Sequence, residues 1–193
     1  MDLPEVFILR HGQTEWNAQG RLHGHFDAPL SEIGRLQAAQ QRDILARIGA
    51  TGCDVFASPQ PRALETARIA LGGFDVPIIR DRGLLEIGIG AWAGRYVSDL
   101  PICLPGGEGE ENLLPLYEAA PGGEGFAQLQ TRCRGFLNKL RRPAVIVTHG
   151  ITSRMLRVVL LGQKPEEIAA IDGGQGVVFQ IKDGVQIKHA FGA

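Results

Sequence analysis

VFILRHG at Val6–Gly12 and AVIVTHG at Ala144–Gly150 are the two most informative segments of the chain for predicting its fold. Each begins with four apolar residues and ends in a His-Gly pair. Short apolar runs of this kind are typical of parallel strands that are buried on both faces. The carboxyl ends of such strands form the ligand crevice of an open sheet. The sequence therefore places His11 and His149 at the same functional edge of the protein.

Weaker strands and clear helices surround these two stretches. Further strands are predicted at Asp54–Ala57 and Pro77–Ile79, and an edge hairpin at Gly176–Ile181 and Val185–His189. Helices are predicted from Ser31 to about Ile48, at Arg62–Leu71, at Phe126–Leu140 and at Ile151–Leu161. Alternating strands and helices predict an α/β protein, a three-layer α/β/α sandwich with a mostly parallel central sheet.

The stretch from Trp92 to Gly125 breaks this alternation because it is rich in glycine and proline. It carries the pentapeptide PGGEG twice, at Pro105–Gly109 and Pro121–Gly125. We expect an irregular lid or insertion at about residues 92–125 within one domain that spans residues 1–193.

Composition excludes several classes of protein. Of the 193 residues, 44% are hydrophobic and 21% charged, with a net charge of -1, so neither a nucleic-acid partner nor an anionic membrane is expected. No apolar run approaches the roughly 20 residues of a membrane helix, and no signal peptide is recognisable, which favours a cytoplasmic protein. Cys53, Cys103 and Cys133 fit no metal-ligand pattern, and free thiols are expected.

Positive groups accompany the two histidines. Arg10 precedes His11, and Arg62 begins a predicted helix just after the strand that ends at Ala57. The planar guanidinium matches phosphate oxygens, and a helix beginning near Ile151 would direct its N–H groups at an anion. The glycines after the histidines would let the backbone approach a ligand closely. These features together favour the binding of a phosphate group.

Four motifs resemble those of the histidine phosphatase superfamily, in its phosphoglycerate-mutase-like branch. They follow one another in the family's order across most of the chain. The motifs are RHGQTEWN at Arg10–Asn17, SPQPRALETA at Ser58–Ala67, LLEIGIGAWAG at Leu84–Gly94 and VTHG at Val147–Gly150.

The resemblance implies a metal-independent and cofactor-independent phosphoryl transfer through a covalent phosphohistidine. It makes His11 the nucleophile and Glu86 the general acid and then the base, with Glu15 as the alternative acid should Glu86 be only a surface carboxylate. The expected phosphate and substrate ligands are Arg10, Asn17, Arg62, His149, Gly150, His23 and Gly24. Arginines and a donating histidine would stabilise the transition state without a metal ion.

His23 is a departure from the family pattern, since glutamine or threonine is more usual at its position. His23 and His25 could also be a zinc pair, but no carboxylate or cysteine accompanies them at a recognisable spacing. Two solvated loop histidines are the favoured interpretation.

The expected activity is the hydrolysis of a small phosphorylated metabolite. The related mutases carry an Arg-His-Tyr run after the acidic glutamate, whereas Glu86 is followed by Ile87-Gly88-Ile89. A mutase-type phosphotransferase and a non-catalytic phospho-ligand-binding protein are the alternatives. A homodimer is possible, and the natural substrate is not determined by these residues.

Acidic residues without any lysine or arginine occupy the segment between Arg95 and Arg132. They are Asp99, Glu108, Glu110, Glu111, Glu118 and Glu124. A segment of this kind that roofed the pocket would disfavour substrates with additional negative groups and would favour a neutral or cationic alcohol. The alternative is a solvated acidic loop away from the site.

Overall fold

A computed structural model describes residues 3–74, 76–101 and 113–192 of the chain. The strands are β1 (Val6–Arg10), β2 (Asp54–Ala57), β3 (Ile78–Arg80), β4 (Ala144–Thr148), β5 (Val178–Lys182) and β6 (Val185–His189). The helices are α1 (Glu15–Ala18), α2 (Glu32–Arg47), α3 (Pro61–Ala70), α4 (Leu114–Ala119), α5 (Gly125–Leu137) and α6 (Gly150–Leu160).

The six strands form one sheet in the order β3-β2-β4-β1-β5-β6. The first four in this order are parallel, and the β5–β6 hairpin adds two antiparallel strands at one edge. The predicted mostly parallel sheet and its edge hairpin are therefore confirmed.

Helices cover both faces of the sheet because successive side chains of a strand point to opposite faces. Val6 and Ile8 of β1 pack in a core with α5 and α6, whereas Phe7 and Leu9 pack in a second core with α2 and α3. All five residues of β1 are buried. This arrangement is the predicted three-layer α/β/α sandwich.

The predicted helix ends differ from the observed ones by a few residues. Ser31 caps α2 as predicted, with its hydroxyl accepting a hydrogen bond from the amide of Gly34. Helix α5 ends at Leu137, although the apolar repeat continues to Leu140. Leu140 lies in the turn after the helix and is buried there. Its apolar character therefore reflects its burial and not a helical conformation.

The segment predicted to be irregular is packed into the core where the structure describes it. Trp92, Val97, Leu100, Leu114 and Leu116 are buried with the residues of α5 and α6. The segment also contains the short helix α4. The first PGGEG copy, Cys103, Glu108, Glu110 and Glu111 lie outside the described residues.

Two further sequence predictions concern the cysteine thiols and membrane-spanning helices. Cys53 and Cys133 are free and buried thiols, and burial raises the pKa of Cys133 to about 12. Within the described residues, no helix is long and apolar enough to cross a membrane.

Candidate active site

The β1–β4 pair brings the two histidines together. Arg10 lies opposite Thr148 in the parallel register, so His11 and His149 leave the sheet side by side. Their ring centroids are 5.2 Å apart in an edge-on arrangement. His11 is 3% exposed and His149 is 0% exposed. The shared crevice expected from the strand ends is therefore present.

Two contacts agree on the tautomer of His11. Its Nδ1 donates a hydrogen bond to the carbonyl oxygen of Gly12, at 2.7 Å. Its Nε2 accepts from the Nε of Arg62, at 3.3 Å. With the proton on Nδ1, Nε2 carries the lone pair that a nucleophile needs.

His149 Nε2 is hydrogen-bonded to Ser58. The two atoms are 2.7 Å apart, and the Ser58 hydroxyl oxygen also accepts from the amide of Gln60. His149 Nδ1 is buried and has no hydrogen-bond partner in the described part of the chain. Buried polar atoms are nearly always hydrogen-bonded, so Nδ1 is a candidate contact for a ligand atom.

Burial and neighbouring arginines keep the three histidines of the site neutral. Burial lowers the pKa of His11 well below its ordinary value, and the charges of Arg62 and Arg10 add to this effect. Burial also lowers the pKa of His149, with a further contribution from Arg62. The same causes lower the pKa of His23 to about 3.

Arg62 is held by the loop that follows α1. Its Nη1 donates to Asp27 Oδ1 and to the carbonyl of Phe26, both at 2.8 Å, and its Nη2 donates to the carbonyl of Gly24 at 3.3 Å. Burial lowers the pKa of Arg62, while the hydrogen bond with Asp27 opposes that shift. The guanidinium is therefore fixed beside His11 before any ligand binds.

The N-terminus of α6 is occupied by Glu86, which differs from the expected arrangement. Glu86 Oε1 accepts from the amides of Ile87 and Thr152 and from the Thr152 hydroxyl, at 3.0, 3.1 and 3.1 Å. Glu86 Oε2 accepts from the amide of Ile151 at 3.4 Å. The sequence assigned the N–H groups at this helix start to a bound anion, which was wrong because the carboxylate of Glu86 takes these donors.

His23 is buried, so the interpretation of a solvated loop histidine was wrong for this residue. Its Nε2 lies 2.9 Å from the hydroxyl oxygen of Thr14, which also donates to Asn17 Oδ1. These bonds pack His23 and Asn17 against one capping residue. His25 is exposed and its Nε2 contacts the carbonyl of Glu86, so the two histidines have separate partners.

The two glycines after the histidines make room for protein atoms. A Cβ at Gly12 would lie 2.1 Å from the carbonyl oxygen of Gly34, and a Cβ at Gly150 would lie 3.3 Å from the guanidinium carbon of Arg10. Close packing of the loop after β1 on α2 and of Arg10 on α6 is therefore a structural reason for these glycines, and backbone approach to a ligand stays a prediction.

Sequence reasoning missed three residues that position the site. Gln60 donates to the carbonyl of Gly24 and accepts from the amide of Glu86, and so joins two loops. Thr66 accepts from the amide of Gly12. Ser58 orients His149, as described above. All three belong to the SPQPRALETA motif, whose polar positions were the available signal.

Most of the predicted site residues line the same cavity. Its walls include Arg10, His11, Asn17, His23, Gly24, Arg62, Glu86 and Gly150. His149 is completely buried against the His11 ring and is not part of the wall. Arg21, Arg154 and Arg157 also line the cavity, so five arginines face one carboxylate there. Such a cavity favours a multiply charged anion.

The described acids of the 95–132 segment have partners elsewhere and do not line this cavity. Glu124 pairs with Arg132 at 2.7 Å, and Glu118 accepts from the amide of Phe126 at 2.6 Å. Leu113 and Tyr117 are the residues through which the α4 region reaches the cavity.

Among the residues that the structure describes, no group of three or more histidine, cysteine or acidic side chains is placed to hold a metal ion.

Comparison with known proteins relates both sequence and fold to phosphate-transferring enzymes. The chain is 30% identical to phosphoserine phosphatase 1 of Hydrogenobacter thermophilus, over 82% of this chain and 76% of that protein. It is 32% identical to an Enterobacter protein named as a probable phosphoglycerate mutase, over 82% and 75% of the two chains. A solved structure of mycobacterial glucosyl-3-phosphoglycerate phosphatase in complex with VO3 superposes with a TM-score of 0.81, at 27% identity and over 98% and 99% of the two chains.

A family model matches residues 6–184, which span the first five strands and end just before β6. The match confirms the family that the four motifs suggested. The chain belongs to the histidine phosphatase superfamily (branch 1).

Proposed function

We propose that this protein is a phosphomonoester hydrolase that acts on a small phosphorylated metabolite through a covalent phosphohistidine at His11. The observation that carries the proposal is the neutral His11 ring, with Nδ1 bonded to Gly12 and the lone pair on Nε2. A neutral imidazole beside two arginines is a competent nucleophile toward phosphorus. The phosphatase names of two relatives support the same reaction class.

The first half-reaction transfers the phosphoryl group to the enzyme. His11 Nε2 forms a bond to phosphorus while the bond between phosphorus and the ester oxygen breaks. The acid form of Glu86, in the wall of the same cavity, gives its proton to the departing alcohol oxygen, and the carboxylate that this leaves is the form that accepts the N–H groups at the start of α6. The products of this step are the alcohol, the phosphohistidine and the carboxylate of Glu86.

The second half-reaction returns the enzyme to its starting state. Glu86 takes a proton from a water molecule whose oxygen attacks phosphorus, and the phosphorus–nitrogen bond breaks. Inorganic phosphate leaves, and His11 recovers its neutral ring. No metal ion takes part in either step.

Charge on the phosphoryl oxygens is stabilised by donors that are in place before the substrate binds. Arg10 and Arg62, in the cavity wall, supply guanidinium groups. His149 lies behind the His11 ring, and in the tautomer that carries its proton on Nδ1 it donates to the phosphoryl group held there. Asn17 is a further phosphate ligand, and the wall at His23, Gly24 and Gly150 completes the pocket. Preorganised donors of this kind act mainly on the transition state.

A phosphoglycerate-mutase-type phosphotransferase is the second candidate, favoured by the name of the Enterobacter relative. The distinction lies in how long the enzyme retains the dephosphorylated product. Glu86 is followed by Ile87, Gly88 and Ile89, which carry no charged group to hold a phosphoglycerate. Water then reaches the phosphohistidine and hydrolysis follows.

Turnover of p-nitrophenyl phosphate in the presence of EDTA tests the proposal. We expect the wild type to be active and to give an acid-labile phosphoenzyme after a rapid quench, and His11→Ala to lose both. His25→Ala is the matched control, because His25 is exposed and absent from the cavity wall. Activity retained in His11→Ala, or abolished by EDTA, would contradict the mechanism. A folded but inactive wild type that binds phosphate would favour a binding protein.

Three features of the protein stay predictions from the sequence. They are a single domain over residues 1–193, a cytoplasmic location and a possible homodimer.

A further inference from the structure

Helix α6 continues along the cavity beyond the residues that the proposed reaction uses. Gly150, Ser153, Arg154 and Arg157 all line the cavity. They are spaced at three, four and seven residues from Gly150, so they form one stripe on the helix surface. With a rise of about 1.5 Å per residue, Ser153 and Arg154 lie roughly 4.5 to 6 Å further along the helix than Gly150.

This stripe begins beside the phosphoryl pocket. A Cβ at Gly150 would lie 3.3 Å from the Arg10 guanidinium, so the helix starts against a proposed phosphate ligand. A substrate whose phosphoryl group is held by Arg10 therefore has its alcohol portion within reach of Ser153 and Arg154. Two or three carbon atoms span such a distance.

Ser153 contributes to the stripe a hydroxyl group that is unpartnered among the described residues. The residue is 2% exposed, and its hydroxyl oxygen has no hydrogen-bond partner in the described part of the chain. Buried hydroxyl groups are nearly always hydrogen-bonded, because water can no longer satisfy them. An acceptor atom of a bound substrate would supply the partner that Ser153 lacks.

The two arginines give this region a positive charge. Arg154 is 5% exposed, donates to the carbonyl of Ile171 and packs against Gly173, where a Cβ would lie 2.7 Å from Nη2. Arg157 is fully buried and contacts Asp172 Oδ1 at 3.3 Å. Asp172 is shared with Lys188, at 2.7 Å, so it does not neutralise the arginine pair. The pKa of Arg157 is lowered by burial to about 10, and the group remains protonated at neutral pH.

We propose that Ser153 and Arg154 form a subsite for a carboxylate of the substrate. Arg157 adds positive charge behind them, since its own N–H groups donate to Ser153, Asp172 and Gln186. The natural substrate would then be a phosphomonoester whose alcohol carries a carboxylate two or three carbon atoms from the ester oxygen. The inference rests on the proposed function, since it places the phosphoryl group at His11. One hydroxyl and a planar guanidinium suit the two oxygens of a carboxylate better than the three oxygens of a second phosphate.

This substrate carries a negative charge on its alcohol portion, whereas an acidic segment over the cavity would favour a neutral or cationic alcohol. Sequence reasoning favoured a neutral or cationic alcohol on the basis of the 95–132 segment. The described acids of that segment do not line the cavity, whereas the α6 arginines do.

Matched substrate pairs test the subsite on the wild-type enzyme. Phosphoserine and phosphoethanolamine differ by the carboxylate, and 3-phosphoglycerate and glycerol 3-phosphate differ by a carboxylate in place of a hydroxymethyl group. We expect kcat/KM to favour the carboxylate in both pairs by roughly 10- to 100-fold, the range for a charge-assisted hydrogen bond. Equal kcat/KM values within both pairs would overturn the subsite and leave the phosphatase intact.

Variants then test whether residues of α6 cause the preference for a carboxylate. Ser153→Ala and Arg154→Met should each lower the ratio of kcat/KM values within a pair by about 10-fold. Arg134→Met, an exposed arginine on α5 outside the cavity wall, makes the same change and should leave the ratio at the wild-type value. A wild-type ratio in both subsite variants would overturn the assignment to α6.

The two proposals fail in different ways. If the proposed phosphatase function is wrong, the wild type will hydrolyse neither member of a pair nor p-nitrophenyl phosphate. If Arg154→Met does not fold, Ser153→Ala and the wild-type pairs still decide the question.

Discussion

Replacing Glu86 with glutamine removes the proposed proton donor while preserving the shape of the side chain. Glu86 Oε1 accepts three of the four hydrogen bonds to this carboxylate, and Oε2 accepts only the 3.4 Å bond from Ile151. The amide oxygen of glutamine can therefore take the place of Oε1 and retain three bonds. The amide nitrogen then replaces Oε2, and one long bond is lost.

The expected loss of stability is small. One hydrogen bond to a carboxylate contributes about 1.5 to 3 kcal/mol, and a bond of 3.4 Å belongs at the lower end of that range. The thermal midpoint of Glu86→Gln should therefore lie within a few degrees of the wild-type value. Any large loss of activity would then reflect chemistry and not unfolding.

The expected loss of activity depends on the leaving group. An alkyl alkoxide must be protonated as it departs, and a general acid contributes about 10²- to 10⁴-fold to such a step. The p-nitrophenolate ion departs without a proton. Glu86→Gln should thus lower kcat/KM by about 10²- to 10⁴-fold for an alkyl phosphate and by less than about 10-fold for p-nitrophenyl phosphate.

Steady-state kinetics on both substrates provides the measurement, because kcat/KM covers the steps up to departure of the alcohol. Glu15→Gln is the control, since Glu15 is exposed on α1 and is the alternative acid that the sequence offered. Equal losses of kcat/KM on the two substrates would refute the role of Glu86 as proton donor. A selective loss in Glu15→Gln would transfer that role to Glu15.

Two further predictions concern the histidines. Ser58→Ala should lower kcat/KM for p-nitrophenyl phosphate by about 10- to 100-fold, because the hydrogen bond that orients the His149 ring is lost. Exposed Ser98→Ala should have no effect, and unchanged kinetics in Ser58→Ala would contradict the role of Ser58. His11, His149 and His23 have lowered pKa values in the folded state, so below about pH 6.5 the unfolded chain binds more protons than the folded one. The free energy of unfolding should therefore fall as the pH drops from 7.5 to 5.5, by about 1.4 kcal/mol per unit below 6.5 for each of these histidines, and for His23 the fall continues to about pH 3. Urea unfolding at several pH values checks this expectation, and a free energy independent of pH over that range would contradict it.

The fold class and the members of the candidate site could be predicted from local sequence. Val6–Leu9 and Ala144–Val147 are apolar on both faces, and that pattern is local enough to predict buried parallel strands without coordinates. The histidines that follow the two strands had to emerge at one edge of the sheet. Arg62 was predicted there because its helix begins just after another strand end, and motif resemblance added Glu86.

The way in which these groups are held could not be predicted without the tertiary contacts. The bond between Ser58 and His149 joins residues 91 positions apart, and the bond between Glu86 and Ile151 joins residues 65 positions apart. Periodicity and propensity report the local chain, and they carry no information on which distant donor meets which acceptor. The buried state of His23 and the cavity-facing stripe of α6 depend in the same way on packing between elements. Tautomers, proton donors and substrate selection therefore follow from tertiary contacts.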